Sequence, residues 1–342
     1  MKKLFLFSVA ALAFCACSND ETVSENNVAN QQPKEISFSP LAKPNTRAAV
    51  DGTAFPTTLN MMVTAYQVEA TGGSAGAYFD ATPFKYQYAA GATNSTANPS
   101  NWGGTPARYW PLTPAYINFL AIANANADNA TDVTWGTNKA DQVTIVMSDN
   151  SSDQRDLMYA RGDGEVTQNT NALTFPTKVD MQFKHAQAWI DFKVKANSDT
   201  ENAITVKSIT LTGAKYNGTY TVTHTGYNAK TGQSVAGAWT NLGDAKDVAV
   251  PGWNAAALNT SLVTVGNGLM IVPDDAAAGD FTSFTIAYTY DGKDYSYTYT
   301  PASTNVEQAK HYIYEITFQL HEIYINPSVE DWKDQTATAF TI

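Results

Sequence analysis

Gly72-Gly73-Ser74-Ala75-Gly76 spells G-x-S-x-G, the string in which a strained strand-to-helix turn presents a serine nucleophile. That chemistry needs a helix directly behind the serine. Ala77-Tyr78-Phe79-Asp80-Ala81-Thr82-Pro83 does not begin one, so Ser74 reads as a residue of a small-residue loop. The histidines, His185, His224, His311 and His321, contain no pair at the i, i+4 spacing of a helical zinc site. His185, within Phe183-Lys184-His185-Ala186, reads as a core or strand-end hydrogen-bonding residue. Asp149, Asp153 and Asp156, then Asp163 with Glu165, form acidic clusters without the glycine at position six of a calcium loop, and read as solvated loops. The expectation is no catalytic residue, no metal and no cofactor.

The remaining chemistry is that of a thiol. Met1-Lys2-Lys3 is followed by an apolar run from Leu4 to Ala13 and then Phe14-Cys15-Ala16-Cys17. A basic start, an apolar run too short to span a bilayer and a small residue before a cysteine make an export signal of the lipoprotein kind. Cys17 is then the lipid-bearing residue, and the polar stretch Ser18-Asn19-Asp20-Glu21 behind it begins a tether that runs to residue 34. Both cysteines fall in the export region. In an exported protein this excludes a disulfide framework, a cysteine nucleophile and a thiolate metal site, leaving stability to packed cores.

The elements that position the rest of the chain are strands. Helix formers are scarce, whereas Thr, Val and aromatics abound, with 18 Tyr and 15 Phe suited to strands that have one packed face. The formal charge of −11 repels phosphate backbones and argues against nucleic acid as a partner. The first short strand alternates over Glu35-Ile36-Ser37-Phe38-Ser39 and is broken by Pro40. Others are expected at residues 59–66, 84–88, 117–123, 142–147 and 157–160, with 89–106 a loop. A second block opens near Val179 and carries Ile190, Phe192 and Val194 on one face of an alternating strand. Strands follow at 206–211 and 218–222. Phe284–Tyr290, Asp291-Gly292 and Lys293–Tyr299 make a hairpin whose turn needs two positive φ angles. Further strands lie at 312–320, 323–325 and 338–342. Short strands between turn signals argue for antiparallel sandwiches.

In order, these stretches resemble the fimbrillin family, the type V pilin subunits of Bacteroides-like bacteria. The resemblance rests on the signal ending at Cys17, the short strand followed by Thr46-Arg47-Ala48, and Tyr109-Trp110-Pro111 leading to Ile117-Asn118-Phe119-Leu120-Ala121. It rests also on Phe183–Ala188 entering an alternating strand, and on Tyr312–Phe318 followed by Val329-Glu330-Asp331-Trp332. It implies an all-β fold of two transthyretin-like antiparallel β-sandwich domains. The divisions expected are 1–16 signal peptide, 17–47 propeptide with a removable first strand, 48–178 and 179–322 the two sandwiches, and 323–342 a donor-strand segment.

The resemblance further implies a structural subunit of surface fimbriae that supports adhesion and colonisation, not an enzyme. It is held by lipid in the outer membrane through Cys17 and cut between Arg47 and Ala48 by an arginine-directed protease. Loss of the strand bearing Ile36 and Phe38 would expose a groove, which the strand bearing Thr338, Phe340 and Ile342 of another copy, or of a related pilin subunit, fills by strand addition. Head-to-tail addition does not close, so it gives a filament. The resemblance also allows a host or bacterial surface ligand. Stalk, anchor and tip subunits all occur in the family, and Arg47 in an open segment favours a stalk subunit. The alternative is a monomeric surface lipoprotein that binds glycans, for which Trp102, Trp135, Trp239 and Trp253 would have to form an exposed platform on loops.

Overall fold

The computed structural model describes residues 31–41, 61–68, 76–79, 84–88, 102–104, 107–123, 133–135, 142–146, 154–170, 172–225, 233–234, 237–274, 279–319 and 323–331. Among these there are strands and turns and no helix. The largest sheet has the order Ala172–Thr174, Met158–Asn169, Ala115–Ala123, Met61–Val68, Phe84–Tyr88, Trp102–Gly104, all antiparallel; Gly76–Ala77 and Lys184–His185 add short pieces. Its middle strand, Ala115–Ala123, is buried along its whole length because both faces are covered. Ile117, Phe119 and Ala121 face one core. Tyr116, Leu120 and Ile122 face another, built with Tyr220 and Val222 of the strand Thr219–Thr225.

A third core lies between two five-stranded sheets. One runs Val263–Thr264, Ala188–Ala196, Lys310–Phe318, Ile323–Asp331, with Leu269–Ile271 also on Ala188–Ala196; the other runs Lys246–Ala249, Ile204–Ala214, Ser283–Tyr290, Lys293–Tyr299, with Ala256–Ala257 also on Ile204–Ala214. Ile190, Phe192 and Val194 are fully buried on one face, as their period of two requires. Phe192 meets Phe284 of the opposite sheet edge to face, at a centroid distance of 4.9 Å. The Asp291-Gly292 turn has φ of 49° and 73°, the left-handed pair that matches the twist of its hairpin, and Tyr290 pairs with Lys293 across it.

The architecture is the antiparallel β-sandwich type expected, with two parallel exceptions. Ala188–Ala196 pairs in parallel with Lys310–Phe318, and Phe38–Leu41 with Val179–Gln182. Long connections separate both pairs, which leaves the chain free to return in the same direction. Several local expectations change. Pro40 lies inside its strand, opposite Met181, and is tolerated there because a two-stranded pair consists only of edges. The stretch 89–106 contains the strand Trp102–Gly104, and the last described strand continues past residue 325 to Asp331. Asp163 and Glu165 belong to the long strand Met158–Asn169, not to a loop, and Asp156 is fully buried rather than solvated. His185 has the bonding role expected of it: its Nδ1 lies 2.8 and 3.0 Å from the two carboxylate oxygens of Asp156. Gly76 opens a strand, so no helix follows Ser74.

Candidate functional site: the slot filled by residues 34–41

Two stretches far apart in sequence, 108–110 and 179–182, are joined by one segment from near the start of the chain. Lys34–Ile36 lies antiparallel to Arg108–Trp110, with Ile36 N donating to Arg108 O at 2.7 Å and Trp110 N donating to Lys34 O at 2.9 Å. The segment then crosses to the other side. Val179 N donates to Ser37 O at 2.9 Å, and Phe38–Leu41 pairs with Val179–Gln182. Upstream, the Gln31 side-chain amide imitates a further ladder step. Its Nε2 donates to Leu173 O at 2.6 Å and its Oε1 accepts from Leu173 N at 2.7 Å.

The side chains fill what the backbone spans. Ile36 and Phe38 are both 0% exposed, and Phe38 stands edge-on to Phe119 at 5.1 Å. Trp110 meets the same ring edge to face at 5.8 Å. Val179 and Met181 close the opposite wall. Two glycines make this closeness achievable. A Cβ on Gly162 would collide with Met181 Sδ and Val179 Cγ1, and one on Gly164 with the Trp110 ring. Ser37 is buried too, with its hydroxyl donating to Thr177 O at 3.2 Å, and Lys178 Nζ donates to Ser39 Oγ at 3.1 Å. Burial raises the pKa of Glu35 above the usual carboxylate range, and pushes that of Tyr78, whose hydroxyl donates to Tyr109 O, up to about 12.

Of the residues singled out in the sequence, Ile36 and Phe38 meet in this slot. Cys17, Arg47, Ala48, Thr338, Phe340 and Ile342 lie outside the described residues. The strand Ile323–Asp331, within the segment assigned as donor, pairs along its whole length with Lys310–Phe318 of its own chain. Val179 and Met181, placed at the start of the second block, pack in the core that holds Ile36 and Phe38. Sequence reasoning missed the partners 108–110, Gln31 and Pro40. The Trp110-Pro111 dipeptide was visible, but nothing in the chain order couples it to residue 34.

Of the tryptophans that the glycan-binding alternative needs on exposed loops, Trp102 is buried and Trp239 and Trp253 are half-buried. Trp102 is a strand residue, and Trp135 lies in the strand Val133–Trp135. The indole N–H of Trp239 donates to Ala186 O at 2.7 Å and that of Trp253 to Val206 O at 3.1 Å. Among the described residues no group of His, Cys, Asp and Glu is arranged to hold a metal. No described helix is long and apolar enough to cross a membrane.

The described residues form an all-β fold with a deep slot sealed by one early strand. The family described as fimbrillin-like matches residues 46–332, and the chain belongs to it. A solved fimbrial protein from Bacteroides vulgatus is similar over 80% of this chain and 93% of its own, at 18% identity and a TM-score of 0.50, a likeness of fold. The tip fimbrial protein from Porphyromonas gingivalis, solved with a C-terminal truncation, aligns over 80% of this chain and 93% of its own, at 14% identity and a TM-score of 0.40. No curated protein matches the chain. Family membership makes it a pilin-like subunit of cell-surface fimbriae, from a family of structural subunits rather than enzymes.

Proposed function

We propose that this chain is a stalk-type pilin that is exported as a lipoprotein through Cys17, cut between Arg47 and Ala48, and polymerised by donor-strand exchange. The observation that carries the reading is the slot. Residues 34–41 precede Arg47, are bonded on both sides, and bury Ile36 and Phe38 completely, so cutting after Arg47 frees an internal strand to leave. Its departure uncovers Trp110, Phe119, Val179 and Met181 together with two rows of backbone donors and acceptors, a template for an incoming strand. Residues 336–342 of another copy, with Thr338, Phe340 and Ile342 on alternate positions, supply that strand; the stretch 323–331, already paired in its own chain, carries the donor without being part of it.

Other arginines suit the cut less well. Arg161 lies within a strand, and Arg108 holds Ile36 through its carbonyl. Val179 and Met181 pack in the first core, and Tyr220 and Val222 pack against the first sheet, so no single cut near residue 179 separates the packing of the two sandwiches. The filament presents the subunit to surface ligands, and before cleavage the lipid holds it in the outer membrane.

The test is a pair of variants in a cell that assembles the filament. Deletion of 336–342 is expected to leave a folded, exported, soluble monomer that forms no filament, and Arg47→Ala a lipid-held precursor that keeps residues 18–47. Filaments of normal length from either variant would overturn the reading.

A further inference from the structure

Beside the slot, where Val179–Gln182 runs along the strand Met158–Asn169, a polar cleft of about 380 Å³ is lined by Arg161, Asp163, Lys178, Asp180, Gln182 and Lys184. Val179 and Met181 point into the core, so the alternate residues Lys178, Asp180 and Gln182 must point out, and all three are exposed. Arg161 is different. Its side chain is only 7% exposed, one guanidinium nitrogen donates to the buried Asn118 Oδ1 at 2.7 Å, and its buried Nε–H has no acceptor. The Nε–H is sealed from the cleft, so what Arg161 offers there is the small accessible part of a guanidinium that burial and Asn118 hold in place, a fixed positive charge for an anion.

The charges around it set the ligand. Asp163 lies 3.9 Å from Arg161, and Asp180 lies 3.5 Å from Lys178, so two of the three cations are balanced by neighbours. The charge of Lys184 is left over, which makes the cleft net positive in a chain whose formal charge is −11. A site for a simple inorganic anion would present donors alone. This one interleaves acceptors, the carboxylates of Asp163 and Asp180, with the Gln182 amide, which both donates and accepts. The complement is a molecule with one negative charge and several hydroxyls. The volume, within the ordinary range of roughly 300–1,000 Å³ for small-ligand sites, holds one or two sugar rings.

We infer that this cleft binds a carboxylate-bearing sugar, a hexuronate unit of an acidic glycan, with the carboxylate on Arg161 and Lys184 and the ring hydroxyls on Asp163, Asp180 and Gln182. No aromatic side chain lines the cleft, so there is no ring-stacking contribution, and affinity for a single sugar is of millimolar order. Repetition of the subunit along a filament would turn that weak single contact into firm attachment to a polymer. In the uncut chain the cleft is held by the pairing of Val179–Gln182 with Phe38–Leu41 and does not depend on donor-strand exchange; in a filament it rests on that reading, with the donor strand taking the place of Phe38–Leu41.

The experiment titrates the purified full chain with methyl glucuronide, methyl glucoside and acetate, by calorimetry at low and high salt, with Lys184→Gln as the variant. Lys184 is exposed, so the variant keeps the unfolding midpoint of the parent. Expected are saturable binding of the glucuronide alone, weakening with salt, and an affinity loss of about fivefold or more in Lys184→Gln, the scale of one charge-assisted contact. Equal binding of the glucoside would remove the role of charge, and equal binding of acetate would reduce the cleft to a simple anion site. No binding of the glucuronide, or an unchanged affinity in the variant, would overturn the inference outright.

Discussion

Phe38→Ala tests whether the early strand is a structural member of the first core. Its ring has no exposure and its neighbour Phe119 sits on the central, doubly covered strand Ala115–Ala123, which cannot move in to close a gap without disturbing the core on its far side. Truncation therefore leaves most of the ring's volume empty, and the expected loss is that of an uncollapsed Phe→Ala cavity, about 3–5 kcal/mol. Of this, about 1 kcal/mol is the edge-to-face pair with Phe119. In urea, where slopes rise with chain size and reach about 3 kcal/mol per molar, the midpoint should fall by about 1–2 M. The control is Ser39→Ala, the next residue of the same strand but half-buried and bonded to an exposed lysine, which should cost no more than about 1 kcal/mol. A second control needs no new variant. Once the chain is cut after Arg47 and the freed segment removed, parent and variant are the same molecule, and their midpoints must coincide. A loss below about 1 kcal/mol in the uncut chain would refute the packing argument.

Glu35→Gln should stabilise the uncut chain at neutral pH and leave it unchanged in acid. Burial raises the folded-state pKa of Glu35, so the native chain holds its proton to higher pH than the unfolded one; its contribution to stability is fullest below the unfolded pKa and is lost as pH rises through the folded pKa, and unfolding curves at the two pH values measure it. Gly292→Ala should cost about 1–2 kcal/mol by thermal unfolding, purely from the backbone, because φ is +73° and nothing lies within 4 Å of the added carbon. Asp156→Ala should cost about 1–3 kcal/mol in urea, since it removes the carboxylate that bonds the buried Nδ1 of His185.

Much of the fold was legible because period-two patterning and turn chemistry are local. The face bearing Ile190, Phe192 and Val194, and the hairpin closed by Asp291-Gly292, follow from side-chain alternation and from the two positive φ angles a tight turn demands. The run Ile117–Ala123 read as a strand from its short apolar run, although that continuous apolarity could not say that two separate cores cover it. The acidic residues misled, because a carboxylate such as Asp156 reads as solvated until its partner, 29 residues further on, is brought to it by the fold.

For the slot, the sequence alone determined that Ile36 and Phe38 belong to one face of a short strand lying ahead of an arginine, and that the chain is β throughout its described length. Only the tertiary structure decided that this strand joins Arg108–Trp110 to Val179–Gln182, running antiparallel to one and parallel to the other. Alternation specifies which side chains turn inward, but it carries no address for the partner. That choice is made by long-range packing, here by Gly162 and Gly164 letting Met181, Val179 and Trp110 close around a gap that residues 34–41 fill.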